Sequence, residues 1–139
     1  MVYMLNSTLA GAVLVGHALL AKVIQTSTIR LFTTMGFIPA AQREKALGSN
    51  TLKRVTSAQL NTTEYDAVFI PGLLFLSIKG VAAPMCSTLA VVGQLWYYWL
   101  RALVGNSFEG GVDPPPYAPG AAMRYFALGM LAFEIYKLA

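Results

Sequence analysis

The sequence predicts an all-α integral membrane protein, a bundle of four helices that each cross the bilayer. Three observations carry that expectation. Only 12% of the residues are charged against 56% hydrophobic, about half the charge of an ordinary soluble domain. Four long apolar runs are separated by stretches rich in Gly, Pro or charge, and a chain of 139 residues accommodates about four spans of roughly 20 residues with short connections. The cations stand singly or at the ends of runs, so the net charge of +4 lacks the basic face that neutralises phosphates, which argues against nucleic acid as a partner. No repeat or low-complexity tract divides residues 1–139, which read as one domain.

The first span covers about residues 5–24, interrupted by Asn6, Ser7, Thr8, His17 and Lys22; Lys22 can snorkel at its end. No basic segment precedes this run, so a span is expected rather than a cleaved signal. Its continuation "QTSTIRLFTTMGF" is polar enough to emerge among headgroups, and Gly36 to Ser49 reads as a loop. The second span, residues 54–78, is strongly apolar only from Ala67 to Ile78, and Pro71 is expected to kink it. The third, residues 82–101, holds no charge before Arg101 and ends in "LWYYW"; aromatic residues ahead of a cation mark arrival at the interface. The linker "VGNSFEGGVDPPPYAPG" is too rich in Gly and Pro for a helix, and the fourth span follows at 121–138. Arg30, Arg43, Lys45, Lys53 and Arg54 surround the first loop while Lys79 stands alone in the second, which places the first and third loops on the cytoplasmic side.

The start of the second span carries a polar stripe. Counted from Arg54, the offsets 3, 7, 10 and 11 of Ser57, Asn61, Glu64 and Tyr65 all fall near whole turns, so the five residues share an arc of roughly 100°. A carboxylate near hydrocarbon needs a cationic partner, from the protein or from a ligand. One reading of the stripe is hydrogen-bonded packing against a neighbouring helix. The other follows from topology, because Arg30, Arg54, Tyr97, Tyr98, Arg101 and Arg124 all lie at span ends on one membrane face. Guanidinium groups suit carboxylates, Glu64 an ammonium and Asn61 a peptide group, a set for a small zwitterionic or polyanionic ligand.

These residues resemble a known family. "RVTSAQLNTTEYDAVFI" is similar to the R-V-x-x-A-x-x-N-x-x-E-Y/N signature of the MAPEG family, the membrane-associated proteins in eicosanoid and glutathione metabolism. "VGQLWYY" late in the third span and the Pro-rich loop before "MRYFALGM" agree with it. The resemblance implies a homotrimer of four-helix subunits that binds glutathione between neighbours. It implies glutathione contacts at Asn61, Glu64, Tyr65 and Tyr97, cationic contacts at Arg30 and Arg54, and, as in microsomal glutathione transferases, thiolate stabilisation by Arg124.

The chain also departs from the family: Ser57 and Gln94 stand where members commonly carry arginine. Each lost charged hydrogen bond costs on the order of 1.5–3 kcal/mol. Arg101, which the family pattern does not contain, is a candidate replacement. Two functions follow. In the first, a membrane-bound transferase or peroxidase uses glutathione as co-substrate on lipophilic electrophiles or lipid hydroperoxides. In the alternative, a non-catalytic member binds lipid or serves as an accessory subunit of a larger membrane complex. Among single residues, His17 is expected to hydrogen-bond between helices, Glu134 to pair with Lys137, and Cys86 to be a buried, inert thiol. Asn6-Ser7-Thr8 matches a glycosylation sequon beside the membrane.

Overall fold

Asn6 opens the first helix by accepting a hydrogen bond at Oδ1 from the Leu9 amide (2.8 Å), which satisfies one of the donors left free at a helix start. The computed structural model describes residues 5–33, 39–106 and 111–139, apart from the side chains of 28–33, 40 and 43. Among the described residues the protein is all-helical. Helix α1 (Ser7–Thr33) runs further than the predicted span, because its polar continuation contains no Gly or Pro to stop it.

Part of the expected first loop is also helical. Helix α2 (Ala40–Leu47) is built from strong helix formers between Pro39, just before its start, and Gly48, just past its end. Helix α3 (Asn50–Ile78) is capped by Ser49, whose hydroxyl accepts from the Leu52 amide, and it continues through Pro71. It closes with Gly80 at φ +71°. The Gly80 amide donates to Ser77 O (3.0 Å) and the Val81 amide to Leu76 O (2.8 Å), the paired bonds of a Schellman turn, whose left-handed position favours glycine. Helix α4 (Pro84–Leu103) starts on a proline, and helix α5 (Ala118–Tyr136) has Pro119 in its first turn.

The four long helices bury two apolar clusters. The larger gathers Leu14, Phe69, Leu73, Leu76, Ala90, Val91, Ala127 and Leu131 with neighbours from all four; the smaller holds Ala21, Val55, Ala58, Tyr98 and Ala102. In sequence, Thr62 and Asp66 lie between the two clusters on α3 and Gln94 between them on α4, and these residues with Arg124 of α5 are buried. A polar layer thus crosses the core between two apolar ones. The start of α1 is fastened to the α3–α4 turn: the Ser7 amide donates to Ala82 O (2.9 Å) and the Ser7 hydroxyl to Val81 O (2.6 Å). Among the described residues one helix segment, Ser7–Ser27 of α1 (mean hydropathy 1.7), is long and apolar enough to cross a membrane, where the sequence predicts four spans.

Candidate functional site

The polar layer is built around Arg124, which is only 2% exposed. Arg124 sits one turn into the apolar part of α5, and α4 passes close behind it because Gly93 has no side chain: a Cβ there would lie 3.1 Å from Arg124 Cγ. Its guanidinium lies 3.9 Å from the centre of the Tyr65 ring and 3.5 Å from that of Tyr97. Two aromatic faces from α3 and α4 therefore hold the cation, and such contacts contribute about 2 kcal/mol or more when desolvated. Arg124 Nη1 donates to Gln94 Oε1 (3.1 Å). Gln94 in turn donates from Nε2 to Asp66 Oδ1 (2.7 Å) and to the Thr62 carbonyl (3.0 Å). A buried charge without compensation is costly by several kcal/mol, and here the opposite charge, Asp66, is supplied through an amide.

A second guanidinium also lies near Tyr97. Arg101 lies 5.9 Å from the Tyr97 ring centre and 5.0 Å from that of Tyr117, and the two rings meet edge to face at 5.1 Å. It donates to Ser57 Oγ from Nε (3.1 Å) and Nη2 (2.6 Å) and to the Tyr117 hydroxyl from Nη1 (2.8 Å). Asn106 also donates to that hydroxyl (3.1 Å). Arg101, unlike Arg124, is half-buried. Arg101 of α4 thus brings a cation to Ser57 on α3.

The predicted stripe on α3 divides among neighbours. Tyr65 reaches Arg124, and Tyr97 joins both arginines. Arg54 turns away and donates from Nη1 to the Leu103 carbonyl at the end of α4 (3.4 Å), a favourable place for a cation. Asn61 is half-buried, with its buried Oδ1 unbonded among the described residues, and Glu64 is exposed. Arg30 lies on α1, but its side chain is outside the described residues. Tyr65, Tyr97 and Arg124 thus come together, while Arg54 bonds to the end of α4 and Glu64 is exposed.

Sequence reasoning overlooked Asp66, and it read Gln94 only as a missing arginine. The signal was present: Val55, Ala58, Thr62, Phe69 and Leu73 mark the core line of α3, and Asp66 falls on it. His17 differs from expectation. Neither ring nitrogen has a hydrogen-bond partner among the described residues, and the ring packs edge-on against Tyr98 at 5.0 Å. Cys86 is buried with Sγ 3.4 Å from the Ala127 carbonyl, and Glu134 pairs with Lys137 at 2.6 Å. Asn6, the acceptor of the sequon, is exposed, and its Oδ1 is engaged as the cap of the first helix by the Leu9 amide (2.8 Å).

No family model, curated protein or solved structure matches the chain.

Proposed function

We propose that the chain is a multi-pass membrane protein, a four-helix bundle working as a homotrimer. In this reading it binds glutathione near Arg101 and Arg124 and presents the thiol to a lipophilic electrophile or lipid hydroperoxide. The observation that carries the reading is the group Arg101–Tyr97–Arg124, two cations against one aromatic ring at the polar layer of the bundle. Glutathione has two carboxylates and a thiol that reacts as thiolate, so paired cations match its charge. The resemblance of the α3 segment to the MAPEG signature supports the same ligand. The exterior supports a bilayer setting: Leu19, Leu60, Ile78, Leu103 and Phe126 are among many large apolar residues left exposed, a surface that lipid or another subunit would cover.

The chemistry divides between the two arginines. Arg101, half-buried and aimed by Ser57 and Tyr117, takes a carboxylate. Arg124 provides a fixed positive field that favours the thiolate over the thiol. In conjugation the thiol releases its proton to solvent and sulfur forms a thioether by attack on carbon, either expelling a leaving group with its bonding pair or adding to an activated double bond, whose far carbon then takes a proton from solvent. In peroxide reduction two thiols are oxidised to the disulfide while the hydroperoxide becomes an alcohol and water. The test is ultraviolet difference spectroscopy of the purified protein titrated with glutathione: a saturable thiolate signal is expected, weakened at least tenfold in affinity by Arg101→Ala. Absence of saturable binding by a protein that keeps its assembly removes this reading.

One observation favours an accessory role instead. Arg124 is buried against the Tyr65 and Tyr97 rings and bonded to Gln94, as a purely structural cation would be. A non-catalytic subunit would co-purify with partners in fixed ratio and give no thiolate signal. If the isolated protein conjugates a generic electrophile and Arg124→Ala abolishes this, the accessory reading falls.

A further inference from the structure

We propose that Asp66 is a positioning residue for Arg124: acting through the side-chain amide of Gln94, its carboxylate fixes the direction of the guanidinium and sets how much positive field it projects. The inference rests on the glutathione reading for its consequence in catalysis, though the linkage itself does not depend on any ligand.

The argument starts with the amide. Both hydrogens of Gln94 Nε2 are used, one on Asp66 Oδ1 (2.7 Å) and one on the Thr62 carbonyl (3.0 Å), while Oε1 accepts from Arg124 (3.1 Å). Reversing the amide would face its donors to a guanidinium and its acceptor to a carboxylate and a carbonyl. One orientation is therefore enforced. Gln94 is fully buried and Asp66 only 4% exposed, so water does not substitute freely for either bond. Asp66 Oδ2 and Arg124 Nε have no other hydrogen-bond partner among the described residues, which leaves the amide as the hydrogen-bonded link between the two charges.

A neutral spacer has an electrostatic consequence. A carboxylate in direct contact would largely cancel the guanidinium field; one displaced by an amide cancels less of it, because the interaction falls with distance. The remaining groups around Arg124 are the Tyr65 and Tyr97 rings, Tyr125 edge-on to Tyr65, Arg101 near Tyr97, and His17 of α1 against the neighbouring Tyr98. Among the described residues, the buried carboxylate near Arg124 is that of Asp66, while Glu64 is exposed. Removing the Asp66 charge should strengthen the field at a thiol held beside Tyr97.

Asp66→Asn keeps the acceptor for Gln94 and removes the charge. In the intact protein, the pH at which bound glutathione reaches half its thiolate absorbance should fall by about one unit, roughly a tenfold gain in thiolate at a fixed pH below the midpoint. A merely structural Asp66 would alter melting and leave this midpoint in place, and an unmoved midpoint overturns the proposal. The second arm needs no ligand: thermal unfolding of Asp66→Asn, Arg124→Met and the double variant. Coupling through Gln94 predicts that the double variant loses about half the sum of the two single drops in melting temperature. In a Gln94→Leu background the effects should become additive. If Arg124→Met does not fold, Arg124→Gln takes its place in the cycle. Additive effects with Gln94 intact overturn the linkage. If the wild-type protein gives no thiolate signal but the cycle shows coupling, the glutathione reading fails while the linkage stands.

Discussion

Ser57 and Arg101 show how a single position changes meaning once the helices are assembled. Read along α3, Ser57 is a missing cation; in the structure it accepts two bonds from Arg101 (3.1 and 2.6 Å). Ser57→Ala should cost about 1 kcal/mol in thermal unfolding, since the pair is half-exposed and partly screened. Ser57→Arg brings two guanidiniums together and should weaken glutathione binding at least tenfold, whereas Ser57→Arg with Arg101→Ser should restore affinity to within about threefold. Calorimetry on the three proteins decides it; a double variant as weak as the single one rules out an exchangeable cation. Gly93 makes a comparable point for Arg124. A methyl group there would meet Met123 Cβ at 3.0 Å and Arg124 Cγ at 3.1 Å, so Gly93→Ala should destabilise the fold by about 1–3 kcal/mol. Tyr65, Tyr97 and Arg124 were legible from sequence because each carries chemistry at a recognisable place. Asp66 was not, because a charge on an apolar core line is visible only after the core line has been separated from the polar stripe beside it.

At the scale of elements, the long helices were legible from their apolar runs, and their ends were less so. Helix α2 was missed because AQREKAL carries too little apolar character to announce a buried face, although Pro39 and Gly48 bracket it with start and stop signals. Polar residues beyond Ile24 suggested an exit from the membrane, yet polarity alone does not end a helix, and α1 continues to Thr33. The turn between α3 and α4 is where local chemistry governs most. Gly80 adopts φ +71°, a conformation that costs a residue with Cβ about 1–2 kcal/mol. Gly80→Ala should lower stability by that amount in denaturant or thermal unfolding. Since Ser7 is fastened to Val81 and Ala82, the same variant should speed amide exchange in the first turn of α1. Unchanged exchange there would separate the turn from the helix start.

For the whole molecule, the four long helices leave Val81 and the start of α1 at one end of the bundle, bonded together. Arg54 and the last turn of α4 meet at the other. If the bundle spans the bilayer as proposed, the α3–α4 turn and the α4–α5 connection face opposite compartments. Lys79 and Asp113, both exposed, are suitable reporters, and Cys86 is buried, so Cys86→Ala leaves a clean background. In sealed vesicles, an impermeant maleimide should label Lys79→Cys from one side only and Asp113→Cys from the other only. In the proposed arrangement the cationic flank of α3 puts Asp113 on the cytoplasmic side. Labelling of both from the same side would eliminate the four-span arrangement while leaving the helical fold intact. Such a result would also move the Arg101–Tyr97–Arg124 group away from a membrane boundary, and with it the means by which a polar thiol could meet a substrate dissolved in lipid.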